Sequence, residues 1–138
     1  MAYLFDTDAI SEILKPAPAR LYAEWLATVP REEQFASAIS VGELYKGAFR
    51  SPARDRHLAN IEQQVLPVLT ILPFDVPAAK MFGQIRAGLE LAGSTLADAD
   101  LLIAATALRH DLELVTGNLR HFSRIPSLRI CRALADAR

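Results

Sequence analysis

The sequence predicts an α/β domain with a mainly parallel central sheet of four to five strands flanked by helices. Short apolar segments alternate with longer amphipathic segments, and polar residues follow directly after several of the apolar ones. Strands that alternate with helices favour parallel connections. A length of 138 residues suits one domain, so we expect residues 1–138 to fold as a single unit.

The N-terminal segment predicts one strand and two helices. Tyr3–Phe5 is apolar and stops at an acid, which is typical of a short buried strand. Residues 8–14 predict a helix that ends before Pro16, because a residue that precedes proline avoids helical geometry. Residues 18–26 predict a second helix, which begins with proline.

The middle of the chain predicts two further strands and two helices. Residues 35–39 are the second strand candidate, and residues 40–50 form the helix that follows and ends near Pro52. Residues 54–65 have an amphipathic helical pattern, and residues 68–72 are the third strand candidate.

The C-terminal part continues the alternation. Val76–Leu91 predicts a long helix that is closed by Gly93. Residues 97–109 are an apolar helix with an acidic start, residues 112–115 are a fourth strand, and residues 128–131 are a possible fifth.

Composition excludes several classes of protein. Hydrophobic residues make up 51% of the chain, which is ample for one core, and the formal net charge is −1. Cys131 is the only cysteine, so an intrachain disulfide or a cysteine-based metal cluster is excluded. The opening MAYLFDTD is not a signal peptide, and no apolar stretch is long enough for a membrane span. We therefore expect a cytoplasmic protein without membrane contact.

Polar residues cluster at the predicted carboxyl ends of the strands, where working groups gather in parallel sheets. The segments concerned are Asp6-Thr7-Asp8, Ser40 to Glu43, Thr116-Gly117-Asn118, and the acidic helix start with Asp98 and Asp100. Together they predict a polar site formed by four segments.

The two acids of the helix at 97–109 differ in the face they occupy. At about 100° per residue, Asp100 falls on the apolar face, whereas Asp98 falls on the opposite face with Thr106. Asp98 follows Thr95 by three residues, which is the spacing of a capping box. Asp98 is thus interpreted as a helix-start residue, and Asp100 as a metal ligand or the partner of Arg86.

The remaining acids also have structural alternatives. Asp6 follows the first strand and is either a metal ligand or a helix cap, although Asp8 is the better cap candidate. Glu43 follows Ser40 by three residues, so it is either a capping-box residue or a ligand. Asn118 and the Thr116 hydroxyl either complete the site or form an ordinary turn.

Three carboxylates in one pocket repel each other, and a divalent cation relieves that repulsion. Oxygen ligands suit Mg²⁺ or Mn²⁺ rather than zinc. His57, His110 and His121 are scattered along the chain and are interpreted as surface or helix-end residues. Such a cation on acids is the working part of phosphodiester hydrolysis.

The chain resembles the PIN-domain nucleases, and among them the VapC and FitB-like toxins of type II toxin–antitoxin pairs. Four segments in order carry the resemblance over nearly the whole chain: LFDTDAIS, SAISVGELYKG, DADLLIAATAL and VTGNLRHFSRIPSLRI. The resemblance implies Asp6, Glu43 and Asp100 as metal-binding acids, with Asp98, Thr7, Thr116 and Asn118 as secondary site residues. Many PIN domains carry a fourth acid where this chain has Asn118, and Asp8 stands where Asn or Ser is common.

The resemblance also implies activity and partners. It implies a Mg²⁺- or Mn²⁺-dependent endoribonuclease, a homodimer, and a cognate VapB- or FitA-like antitoxin through which promoter DNA is bound. Lys46, Arg50 and Arg86 are candidate contacts for the RNA substrate.

Two alternatives remain open at this point. The first is a PIN-like binding module whose acids dock a basic peptide of a partner without catalysis. The second is a phosphatase that uses Asp6 as its nucleophile, because Asp6-Thr7-Asp8 resembles the Asp-x-Asp of aspartyl-phosphate enzymes.

Overall fold

A five-stranded parallel sheet forms the centre of the molecule, with strand order 3-2-1-4-5. The computed structural model describes residues 2–138. The strands are β1 (Tyr3–Phe5), β2 (Gln34–Ser37), β3 (Thr70–Leu72), β4 (Glu113–Val115) and β5 (Ile130–Cys131). The helices are α1 (Thr7–Leu14), α2 (Arg20–Leu26), α3 (Ala38–Arg50), α4 (Arg54–Asn60), α5 (Val76–Leu91), α6 (Asp98–Arg109), α7 (Leu119–Phe122) and α8 (Ala133–Ala137). The predicted fold class is confirmed.

Successive side chains of the central strands point to opposite faces of the sheet, and this divides the core into two clusters. Leu4 of β1 and Leu114 of β4 are fully buried on one face of the sheet, in a cluster with Leu101 of α6. Phe5 and Val115 point to the other face, in the cluster that contains α1, α2 and α8 residues. Because parallel strands are covered on both faces, their carboxyl edge is the place where polar groups meet the surface.

The register of the central strands aligns their carboxyl ends. Phe5 is paired with Ala36 of β2 on one side and with Val115 of β4 on the other. The amide of the next residue, Asp6, donates to the Val115 carbonyl at 3.1 Å. Asp6 and Thr116 therefore leave neighbouring strands at the same level.

Helix α3 begins earlier than the sequence predicts, and the predicted Ser40–Glu43 capping box does not form. Ser37 is the N-cap, and its hydroxyl accepts from the Ile39 amide at 3.0 Å. Ser40 lies inside the first turn of α3, so Glu43 sits in the second turn rather than in a capping position. The side chain of Glu43 is thereby available for other contacts.

The segment predicted as one helix at 54–65 is interrupted. Helix α4 ends at Asn60, and Ile61–Val65 continues as a π-helical turn. The short helices α7 and α8 were not predicted, since four or five residues give too little periodicity to detect. Gly93 closes α5 as expected, with a φ of 71° that favours glycine.

Candidate metal site

Asp6 is the buried acid at the centre of the carboxyl edge. Its Oδ1 caps α1 by accepting from the Ala9 amide at 2.7 Å, and the Thr116 hydroxyl donates to the same carboxylate. Burial above all, together with the charges of Asp8 and Asp100, raises the pKa of Asp6 to about 7, although the two hydrogen bonds oppose this rise. The prediction that Asp8 is the better cap is wrong.

Asp98 and Asp100 have the different surroundings that their faces predict. The side chain of Asp98 is 77% exposed and pairs with Arg86, whereas that of Asp100 is 28% exposed and is close enough to Asp6 to raise its pKa. The N-cap of α6 is Ala97, without a side-chain cap, so the predicted Thr95–Asp98 capping box does not form. The alternative pairing of Asp100 with Arg86 is also wrong.

One detail of the face prediction needs correction. Thr106 was placed on the polar face of α6, but it is fully buried. Its hydroxyl donates to the Leu102 carbonyl at 2.9 Å, which satisfies the polar group without solvent. The apolar face of α6 is therefore wider than the periodicity suggests.

His121 was interpreted as a surface residue but belongs to the site. Its Nδ1 lies 3.5 Å from Oδ2 of Asp100 and 2.8 Å from Nδ2 of Asn118. The backbone N–H of Asn118 donates to the Thr116 hydroxyl at 2.9 Å. The signal that points to His121 is its position three residues after Asn118, which places both on one side of α7.

Glu43 of α3 is linked to the start of α1 by a hydrogen bond from the Thr7 hydroxyl. The Thr7 hydroxyl donates to Oε1 of Glu43 at 2.5 Å, and Thr7 directly follows Asp6. Ser40, one turn earlier on the same face of α3, is fully buried, and its Oγ has no hydrogen-bond partner in the described residues. The N-cap of α1 thus contributes the Asp6 carboxylate, and α3 contributes the Glu43 carboxylate and the unpaired Ser40 hydroxyl.

The three residues predicted to contact RNA lie apart from this centre. Lys46 and Arg50 are exposed on α3, beyond Glu43. Arg86 on α5 is engaged by Asp98. The structure therefore groups Asp6, Asp100, Thr116 and Asn118, links Glu43 to them through Thr7, and leaves Asp98, Lys46, Arg50 and Arg86 at the periphery.

The donor chemistry at the edge fits a divalent cation. Among residues 2–138, no Lys or Arg contacts Asp6, Glu43 or Asp100. Burial, and to a smaller extent repulsion by Asp8 and Asp100, raises the pKa of Asp6, and a bound cation would offset both effects. Ser40 Oγ is an orphaned buried polar atom. Within that same range, no three His, Cys, Asp or Glu side chains are already arranged around one metal position, and the Glu43 carboxylate accepts from the Thr7 hydroxyl.

The parallel α/β fold with acids at its carboxyl edge defines a class of small domains with a candidate metal centre. The PIN domain profile matches residues 3–128. The chain belongs to the PIN-domain family, and within it to the VapC and FitB group of toxins.

Three similar proteins support that membership. Toxin FitB of Neisseria gonorrhoeae is 38% identical over 124 residues, which cover 86% of this chain and 89% of that protein. The tRNA(fMet)-specific endonuclease VapC of Salmonella typhimurium is 35% identical, with coverage of 94% and 96%. The structure of DNA-bound VapBC from Salmonella typhimurium has a TM-score of 0.87 at 34% identity, with coverage of 95% and 97%.

Across residues 2–138, no helix is both long and apolar enough to cross a bilayer.

Proposed function

We propose that this chain is the toxin of a type II toxin–antitoxin pair and a Mg²⁺-dependent endoribonuclease, in which Mn²⁺ can replace Mg²⁺. Asp6, Glu43 and Asp100 hold the metal and carry the hydrolysis of RNA phosphodiester bonds. The observation that supports this most is that Asp6 and Asp100 lie together at the carboxyl edge, with Glu43 bound to the adjacent Thr7, and that no Lys or Arg contacts these three acids within the described part of the chain. Ribonuclease activity is also the named property of the VapC relatives.

The residues around the acids divide the work. When bound, the cation supplies an acidified water and neutralises charge on the scissile phosphate. The Thr116 hydroxyl fixes the Asp6 carboxylate by a hydrogen bond. The Thr7 hydroxyl holds the Glu43 carboxylate next to Asp6 in the same way. His121, which is hydrogen-bonded to Asn118, contacts Asp100 and orients its carboxylate. Such supporting hydrogen bonds typically change metal affinity or activity 10- to 100-fold, as order-of-magnitude values.

The partners follow from the relatives. Several similar structures are toxin–antitoxin complexes, such as FitAB and VapBC bound to DNA. The proposal for this chain is a VapB- or FitA-like antitoxin, promoter DNA bound through that antitoxin, and a homodimer. An RNA substrate and the free, buried Cys131 support a cytoplasmic place of action. Lys46, Arg50 and Arg86 are proposed to contact RNA phosphates.

The test is RNA cleavage by antitoxin-free protein with Mg²⁺, with Mn²⁺ and with EDTA. We expect cleavage with either metal and none in EDTA, and we expect Asp6→Asn and Glu43→Gln to remove it. Glu24→Gln, in the exposed Arg20–Glu24 pair of helix α2, is the control that keeps activity. Cleavage that persists in EDTA would contradict the metal mechanism.

The alternative binding module has one observation in its favour. No three potential ligands in residues 2–138 are yet arranged around one metal position. It requires that antitoxin-free protein cut no RNA while a basic peptide still binds in an Asp6-dependent manner. The phosphatase alternative requires a phosphate trapped on Asp6, and Asp6 is instead 4% exposed and occupied as a helix cap.

A further inference from the structure

The second half of α3 and the start of α4 form a basic segment beside the candidate metal site. Residues 45–57, named here the α3–α4 arm, contain four basic residues and one acid, so the arm has a formal net charge of +3, whereas that of the whole chain is −1. The basic residues are all exposed, and they are Lys46, Arg50, Arg54 and Arg56. A local excess of positive charge attracts the phosphates of a nucleic acid.

Three cations of this arm have no acidic partner among the described residues. Lys46, Arg50 and Arg56 form no hydrogen bond or ion pair with any residue from 2 to 138. Elsewhere in the molecule, even an exposed arginine can be paired with an acid, as in Arg132–Asp136. An unpaired cation binds an anion without first breaking an existing pair, so the arm is suited to contact a phosphate backbone.

Phe49 is an exposed aromatic residue among these cations. It is 55% exposed, and it is the only aromatic among the large exposed hydrophobic residues of the described chain. Two contacts fix its ring: Tyr45 stacks on it with 6.2 Å between the ring centroids, and the guanidinium carbon of Arg54 lies 5.9 Å from its centroid. Arg54 also donates to the Phe49 carbonyl at 3.2 Å. The ring is therefore held in place while more than half of the residue stays open to solvent.

The arm is continuous with the candidate metal site. Thr7 and Glu43 of that site line a cavity of about 620 Å³ together with Arg56 of α4. Glu43 and Phe49 are six residues apart on α3, which is about 9 Å along the helix axis. At about 100° per residue, Lys46 lies between them, about 60° around the axis from each. A phosphate at Lys46 would thus lie between a base at Phe49 and the acids of the site.

A fixed aromatic ring between basic side chains is typical of sites for single-stranded nucleic acid. Unpaired bases stack on aromatic rings and on guanidinium planes, while basic side chains follow the backbone. The bases of a duplex are already stacked on each other and do not reach such a ring. A protein partner would need acids that match the charge of the arm, whereas every RNA supplies phosphates, so the observations favour RNA.

We propose that the α3–α4 arm binds a single-stranded segment of the RNA next to the cleaved bond, and that one base of this segment stacks on Phe49. Lys46, Arg50 and Arg56 bind the phosphates of the segment. The inference rests on the proposed action on RNA. It adds the form of RNA that the site accepts, which is a segment with an unpaired base beside the cleavage position.

The test measures the affinity of the full, antitoxin-free chain for fluorescently labelled oligoadenylate by fluorescence anisotropy, in EDTA so that metal-dependent cleavage does not interfere. Phe49→Leu should weaken binding about 10-fold, the size expected for the loss of one stacked base, whereas Phe49→Tyr should stay within about two-fold of the wild type. Leu91→Ala removes a more exposed apolar side chain from α5, and this control should leave the affinity unchanged.

An RNA without bases separates stacking from attraction to phosphates. With a ribose-phosphate chain of the same length, Phe49→Leu should have a much smaller effect than with oligoadenylate, because no base remains to stack. Arg56→Met should weaken binding to both, and it should reduce the slope of log affinity against log salt by about 0.7, the value of one phosphate contact in a single strand. Melting curves verify that these exposed substitutions leave the fold intact.

The outcomes separate this inference from the proposed function. Equal binding of oligoadenylate by Phe49→Leu and the wild type overturns the inference, and so does an equal loss in Phe49→Leu and Phe49→Tyr. A changed sedimentation coefficient of Phe49→Leu with unchanged RNA affinity also overturns it, because the arm would then contact a protein. A wild type that binds RNA in this Phe49-dependent manner but does not cut it with Mg²⁺ supports the inference and overturns the nuclease activity alone.

Discussion

The acids at the carboxyl edge and the acids on the flanks of the molecule are treated in opposite ways. On the flanks, most acids that make contacts are joined to arginine, as in Asp98–Arg86, Asp8–Arg138 and Asp111–Arg129. At the edge, the acids contact hydroxyls, an amide and a histidine instead, as do Asp6, Glu43 and Asp100. A partly buried acid without a cationic partner costs stability, and this difference supports the proposal of a metal site at the carboxyl edge.

The strongest test of this difference compares Asp98 with Asp100, the two acids in the first turn of α6. We expect Asp100→Asn to reduce the rate of RNA cleavage at least about 100-fold, because it removes a proposed ligand rather than a supporting group. Asp98→Asn should change the rate less than about two-fold, since Asp98 is exposed and its loss affects a surface pair.

The measurement is single-turnover cleavage at saturating Mg²⁺, with melting curves to verify folding. Both substitutions keep size and remove one charge, so each is the control for the other. An inactive Asp98→Asn with an active Asp100→Asn would reverse the assignment of the two faces.

Asp6 extends the comparison from activity to stability. Its pKa in the folded protein is about 7 against an ordinary 3.8, so the folded state keeps this proton up to a higher pH than the unfolded state does. The free energy of unfolding contributed by Asp6 therefore falls as pH rises from about 4 to about 7. In metal-free protein at pH 8, Asp6→Asn should increase stability by about 4 kcal/mol, since a pKa raised by about three units costs about 1.4 kcal/mol per unit.

Asparagine is suited to this test because it caps helices as well as aspartate does. Urea unfolding with EDTA at pH 5 and at pH 8 measures the effect, and the gain should be larger at pH 8. A variant that is less stable than the wild type at pH 8 would show that Asp6 is held for structure rather than for a metal.

The fold was predictable because its main signals are local. Apolar runs such as Tyr3–Phe5 and the long periodic segment Val76–Leu91 needed no tertiary information, and both are observed with those bounds. Helix starts were less predictable, since Ser37 and Ser40 are chemically equivalent caps. Only the end of β2 decides between them, and strand ends depend on partners that are distant in sequence.

The site was predictable only in part, for a similar reason. The face of Asp100 could be deduced from helix periodicity, because Asp98 and Asp100 lie 200° apart around one axis. The contacts of His121 with Asp100 and of Arg138 with Asp8 could not be deduced, because the partners are 21 and 130 residues apart in sequence. Such contacts depend on the packing of α7 and of α8, two helices too short to detect.

Glu12 is the flank acid whose loss should cost the most. Its Oε2 accepts from the Ala19 amide, and its Oε1 accepts from Lys15 and Arg138. These contacts lower the pKa of Glu12 to about 2, so its contribution to stability is complete above about pH 4.5 and is lost as pH falls toward 2. Glu12→Gln should lower the free energy of unfolding by about 2 kcal/mol at pH 7, the size of buried hydrogen bonds to a charged group.

Urea unfolding between pH 2 and pH 7 measures this effect, and the difference between Glu12→Gln and the wild type should shrink below pH 4. An unchanged difference across that range would mean that volume or amide geometry, rather than the carboxylate charge, explains the loss.

The smallest effect is expected for an ion pair that resembles Asp8–Arg138 in composition but lies in solvent. Arg132 and Asp136 are 3.2 Å apart, and both side chains are more than 60% exposed. Asp136→Asn should lower stability by less than about 0.5 kcal/mol at 0.15 M salt, and the difference should vanish at 1 M salt because exposed charges are screened. If Asp136→Asn costs as much as Glu12→Gln, arginine pairing rather than burial determines what a flank acid contributes, and the contrast with the edge acids then rests on pairing alone.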